Sequence, residues 1–168
     1  MQARALVLLL VDTGMRAGEV CRLTCGDLRR PELVVIGKGG HQGVIFLVPQ
    51  VRLLLEYLAL DRPDAAPLFR DWNGRACSVR ALRCIVERLA QRANVDLPPR
   101  PLHAFRHAAA RRWLKAGLPT LAIQQLMRHA TVATTMIYCE LDTAALETLH
   151  ANASAVDMLL GRSGLAWL

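Results

Sequence analysis

In 168 residues, one stretch of this chain reads as β-structure, and glycine breaks it in the middle. Glu32-Leu33-Val34-Val35-Ile36 and Val44-Ile45-Phe46-Leu47-Val48 flank the segment Gly37-Lys38-Gly39-Gly40-His41-Gln42-Gly43. Short β-rich runs on either side of a glycine-rich tip pair as a hairpin. The rest of the chain is helical in pattern. The fold class expected is therefore mainly α with one small antiparallel β-hairpin (α+β) near the N-terminal third, as a single domain.

Helix punctuation divides the remainder. The opening segment reads as a buried helix to about Asp12 that Gly14 stops, followed by a short helix carrying Glu19, Val20 and Leu23. Asp27 and Pro31 mark a turn. Pro49 ends the hairpin, and Val51 to Leu60 is helical with apolar residues on most faces. Ser78 is placed to cap a helix from Val79 to about Arg92. Leu97-Pro98-Pro99-Arg100-Pro101 must be extended, because three prolines exclude a helix interior. A helix from His103 to Lys115 follows, with Leu102, Phe105, Ala109 and Trp113 on one core-facing stripe. Gly117 stops it and Pro119 opens the next helix. Thr131 caps a further helix ending near Tyr138, and Asp142 caps another before an apolar tail.

Composition narrows the class. Hydrophobic residues make up 53% and aromatics only 5%. The core is then built mainly from Leu, Val and Ala, which suits a helical globule. The formal net charge of +7 is compatible with a polyanionic partner without establishing one. The five cysteines, Cys21, Cys25, Cys77, Cys84 and Cys139, form no Cys-x-x-Cys pair. They read as reduced, partly buried thiols of a cytoplasmic protein. The apolar run Ala5 to Val11 is too short to span a bilayer, and no membrane association is expected.

Chemistry concentrates between His103 and Tyr138. His103, Arg106 and His107 share a narrow arc of their helix, beside the apolar stripe, and are expected to project together from its edge. The pair His103 and His107 lacks the adjacent glutamate and third ligand of a zinc site, and Arg106 between them repels a cation. A planar guanidinium suits a phosphodiester, since it donates two parallel hydrogen bonds and stays charged. Arg16, in Thr13-Gly14-Met15-Arg16-Ala17-Gly18-Glu19, offers a second fork. Tyr138 is the natural nucleophile, but a phenol ionises near pH ~10 and needs a base or positive surroundings. His103 can serve as that base, and His129 can hydrogen-bond a phosphate oxygen. Lys38, at the hairpin tip, is a candidate general acid for a departing sugar hydroxyl.

This set resembles the tyrosine recombinases, the phage integrase family, over Thr13 to about Leu141. Met15-Arg16-Ala17-Gly18-Glu19 is similar to the family's first arginine box, in which the glutamate supports the arginine. Gly37-Lys38-Gly39 looks like its catalytic hairpin. Pro101-Leu102-His103-Ala104-Phe105-Arg106-His107 looks like the His-x-x-Arg box. Leu126-Met127-Arg128-His129, followed by Thr134, Thr135 and Tyr138, looks like the last box. The resemblance implies catalytic roles for Arg16, Lys38, His103, Arg106, His129 and Tyr138, with Glu19 and His107 in support. It implies cleavage of double-stranded DNA through a 3′-phosphotyrosyl link, religation to a 5′-hydroxyl, and neither metal nor other cofactor. Further protomers, forming a tetramer on DNA, are implied as partners.

Three departures qualify the likeness. Arg128 stands where the family usually has glycine, able either to add a phosphate contact or to disturb the backbone. His41-Gln42-Gly43 follows the hairpin lysine where further basic residues are usual. The family's N-terminal DNA-binding domain is not in this sequence, so weak, salt-sensitive DNA binding is expected of it. The tail from about 142 to 168 fits either a helix passed to a neighbouring protomer or one folded on its own core. Alternatives to recombination are a type IB topoisomerase-like activity and a DNA-binding remnant that does not cut.

Overall fold

The computed structural model describes residues 1–30, 32–36 and 42–128. Lys38, His129, Tyr138, the helices expected from Thr131 and Asp142, and the apolar tail lie outside the described residues.

Helix α1 spans Gln2–Thr13 and stops at Gly14, whose φ of 58° is left-handed and whose N–H returns to the Leu10 carbonyl. Glycine is required there twice over. A side chain would be strained at that φ, and a Cβ would stand 3.0 Å from Ala109 Cβ. A four-residue helix, α2 (Ala17–Val20), follows, and the turn expected at Asp27 is a 3₁₀ helix, Gly26–Arg29. Leu23 falls beyond α2, though it is buried in the core.

The hairpin pairs β1 (Leu33–Ile36) with β2 (Gln42–Ile45), antiparallel, with Leu33 opposite Ile45 and Val35 opposite Gly43. The second strand starts two residues earlier than the apolar run and ends at Ile45. Gln42 and Gly43 belong to the ladder because pairing is set by register across the strands, and β-rich composition alone does not locate it. Leu33, Val35 and Ile45 face the core, while Ile36 and Val44 face out.

Helix α3 spans Pro49–Ala59, so Pro49 opens the helix in its first turn, and the hairpin has already ended at Ile45. It buries Val51 and Leu55 and leaves Leu53 and Tyr57 exposed, so only one of its apolar faces enters the core. Ser78 caps α4 (Val79–Ala93) by accepting from the Ala81 N–H at 3.1 Å, and Asn94 closes it at φ 52°. Helix α5 spans Pro101–Lys115, beginning at its own proline two residues before His103. Gly117 adopts φ 80° after it, and α6 spans Thr120–Met127 with Pro119 just outside as its N-cap.

The main core joins α1, α3, α4 and the hairpin through Leu6, Leu9, Leu10, Leu33, Leu55 and Leu82. A smaller cluster of Ala110, Ile123 and Met127, flanked by Trp113, joins α5 to α6. Leucine dominates, as composition implies, and among the described residues Phe69 is the one aromatic in the set of largest fully buried side chains. Helix α5 lies in contact with α1, α4 and α6. Cys25 and Cys77 are buried and Cys21 and Cys84 half-buried, all four as free thiols. Among the described residues no helix is long and apolar enough to cross a membrane.

Candidate active site

Five of the eight residues singled out from sequence are described: Arg16, Glu19, His103, Arg106 and His107. Arg16 occupies the N-cap of α2 in extended backbone. Its backbone N–H donates to Glu19 Oε2 at 2.9 Å, and its Nη1 donates to Oε1 at 3.0 Å. One carboxylate thus fixes both the start of the helix and the arginine side chain. Glu19 can do this because it sits three residues on, at the position where a carboxylate reaches back to the cap. The Arg16 Nη2 also donates to the Arg128 carbonyl at 3.2 Å. The Arg16 side chain remains 37% exposed, so the tethered fork still faces solvent.

Glu19 is 2% exposed and carries a second cation, Arg128, whose Nη2 donates to Oε2 at 2.9 Å. Burial alone pushes the Glu19 carboxyl up. The hydrogen bond and charge of Arg128, with the backbone and side-chain bonds from Arg16, outweigh it and hold the group below its ordinary value. A buried carboxylate is tolerated here because two guanidiniums meet it.

Arg106 is only 3% exposed. The wheel position is as expected, but α1 and α6 both pack on α5, so that edge is interior. Burial is made possible by backbone acceptors. Nη1 donates to the Gly14 carbonyl at 2.7 Å, and Nη2 donates to the Met127 carbonyl. Both acceptors stand at helix ends, where carbonyls lack intrahelical partners. Arg106 therefore bolts together the ends of α1 and α6.

His103 is exposed and His107 half-buried, one turn apart, with ring centroids 4.4 Å apart and edge to face. Burial, followed by the charges of His103, Arg111 and Arg106, pushes the His107 imidazole below its ordinary pKa. Its neutral form is favoured.

Arg16, His103 and Arg106 line one pocket of about 360 Å³, together with Met15, Arg83 and Arg100. Sequence reasoning missed the last two arginines. Arg100 directly precedes Pro101 and is the N-cap of α5, and Arg83 lies one turn after Val79 in the same lining. Arg100 adjoins the site through its own helix, one turn before His103, whereas the adjacency of Arg83 depends on how α4 packs against α5, which no local motif encodes. Chemically, the pocket is a cationic recess with a titratable imidazole at its rim, suited to a phosphate group.

The chain matches the phage integrase family over residues 1–145. It is 31% identical to the tyrosine recombinase XerA of Thermococcus kodakarensis over 169 residues, covering 94% of this chain and 57% of that protein. It is 32% identical to the tyrosine recombinase XerC of Mycobacterium sp. (strain KMS), covering 89% of this chain and 53% of that one. The chain thus spans about half the length of these curated relatives. Among solved structures, the XerH site-specific recombinase bound to its difH substrate in a pre-cleavage complex superposes with a TM-score of 0.74 at 25% identity, covering 89% of this chain and 46% of that chain. The catalytic domain of bacteriophage HP1 integrase shares the fold, with a TM-score of 0.66 at 20% identity over 89% of this chain and 80% of that chain.

Proposed function

The chain belongs to the phage integrase family, and from that premise we propose that it cuts and rejoins double-stranded DNA through a covalent bond to Tyr138. The observation that carries this reading is the shared pocket. Arg16 and Arg106 come from distant parts of the sequence and line one recess with His103.

In the proposed reaction the scissile phosphate sits in that recess. The guanidiniums of Arg16 and Arg106 stabilise the charge that grows on its non-bridging oxygens; removing one such donor typically costs ~3 kcal/mol of barrier. The Tyr138 oxygen attacks phosphorus and gives its proton to His103, while His129 hydrogen-bonds a phosphate oxygen. As the bond to the 5′-oxygen breaks, Lys38 supplies a proton to that oxygen. The product is a 3′-phosphotyrosyl link and a free 5′-hydroxyl, and reversal onto a new 5′-hydroxyl completes strand exchange. The phosphotyrosine conserves the bond energy, so neither ATP nor metal enters the scheme. Residues 1–168 act as the catalytic domain, in the cytoplasm, with further protomers on the same DNA.

A nicked duplex that loses its 5′-hydroxyl fragment after cleavage tests this. A covalent adduct on a denaturing gel that disappears with Tyr138→Phe is the expected result. Binding without an adduct, in the presence of a DNA-binding partner domain, would assign a non-cutting module instead. Supercoil relaxation without strand exchange would assign a topoisomerase.

A further inference from the structure

Arg128 is the residue by which this chain departs from its family's last box, and its side chain does not turn toward the cationic recess. It ends α6 at φ 54°, a left-handed conformation that favours glycine. From there the side chain runs inward and is only 9% exposed. Its Nη2 meets Glu19 Oε2 at 2.9 Å, its Nη1 donates to the Leu126 carbonyl at 2.6 Å, and its carbonyl receives Arg16 Nη2 at 3.2 Å. The Nε is buried without a hydrogen-bond partner among the described residues. A side chain held in a left-handed backbone that disfavours it is over-determined by what surrounds it.

What surrounds it includes the hairpin. A Cβ on Gly43 would lie 2.8 Å from Arg128 Cγ and closer still to Cδ. The Arg128 stem therefore fills the volume that any larger residue at Gly43 would need. Gly43 pairs with Val35 in the ladder, so this contact falls on the return strand of the hairpin itself. Arg128 lines a second pocket, with Val44, Ile45 and Trp113, and is absent from the lining of the recess that holds Arg16 and Arg106.

We propose that Arg128 is a positioning residue that couples two separate parts of the site: it fixes Arg16 through the shared Glu19 carboxylate, and it fixes the hairpin through its stem on Gly43. It is not a phosphate contact. The consequence for catalysis rests on the function proposed above; the coupling itself does not. In this chain Gly43 and Arg128 form one fitted pair, the small residue on the strand and the large one at the helix end. A family member with glycine at the helix end has no such constraint on its hairpin.

A double-mutant cycle tests the coupling independently of activity. Gly43→Ala should lower the thermal midpoint by roughly 5 °C in the parent chain and by much less in an Arg128→Gly background. Equal losses in both backgrounds would overturn the proposal. Arg128→Gly should also slow single-turnover cleavage by about tenfold at saturating DNA, with DNA affinity and its salt dependence unchanged, and Arg128→Lys should recover part of that loss. Weakened binding with a shallower salt slope would make Arg128 a phosphate contact and sink the positioning role. If the parent chain makes no adduct at all, the function proposed above fails, while the unfolding cycle still decides whether Arg128 and Gly43 are coupled.

Discussion

Two arginines in this site have the same chemistry and opposite settings. Arg106 is 3% exposed, and backbone carbonyls at the ends of two helices receive its fork. Arg16 is tethered by a buried carboxylate, yet its side chain is 37% exposed. The first arginine is part of the fold as much as of the site. The second is held at both terminal nitrogens and still stands partly open to solvent. If the proposed function holds, losing Arg106 should remove structure and function together, whereas losing Arg16 should mainly remove function.

Substitution can break that contrast. Arg106→Ala leaves two helix-end carbonyls buried without their donor and should cost about 3 kcal/mol of stability together with all cleavage. Chemical denaturation beside an adduct assay measures both, and a fully stable variant would refute the structural half. Arg16→Ala should reduce cleavage by roughly 10²–10³-fold. Its stability should fall by less than that of Arg106→Ala, because Arg128 and the backbone N–H of residue 16 still meet the buried Glu19 carboxylate. Unfolding as severe as that of Arg106→Ala would erase the distinction.

Smaller effects sharpen it. Gly14→Ala forces a side chain into left-handed backbone against Ala109 and displaces the carbonyl that holds Arg106. A loss of about 1–2 kcal/mol is expected in denaturant titration, with cleavage falling in step. Glu19 supplies a pH signature. Because its folded pKa is lowered, its contribution is present above the ordinary glutamate value and is lost as pH falls through the lower folded value. Glu19→Gln should therefore flatten the acid side of the stability profile. His107, also lowered, takes up its proton more readily in the unfolded chain. It should destabilise the fold as pH drops below its ordinary 6.5. The effect is the weakest of the set, and His107→Gln should remove it from a thermal-midpoint scan between neutral and mildly acid pH.

Much of this architecture was legible in the residues. Gly14, Ser78 and Gly117 announce helix ends by chemistry that acts over three or four positions, and each ends or caps a helix where expected. The hairpin was legible too, though its second strand begins earlier than composition indicated, because register depends on both strands at once. Arg106 was read correctly on its helix wheel, but nothing local showed that its edge of the helix is interior. Its burial needs carbonyls from Gly14 and Met127, neither of which its local sequence specifies. Arg128 was visible as an anomaly, with a phosphate contact and a backbone disturbance as its two readings. The fold places it in left-handed backbone and turns its side chain inward to Glu19 and Gly43, both from the N-terminal third of the chain. Local rules place elements; the partners of a buried charge are a property of the packed whole.

The carboxyl end of α1 has no basic residue in its last turn. Its counter-charges come from α5 instead, with Arg112 donating to the Val11 carbonyl and Arg106 to the Gly14 carbonyl. A growing chain makes α1 well before α5, which is among the last of the described helices. The negative end of α1 therefore lacks these counter-charges until α5 is made. Closure of the nascent domain waits on the same helix that carries His103 and Arg106, so a ribosome-stalled product ending before α5 should be neither stable nor able to bind a phosphate.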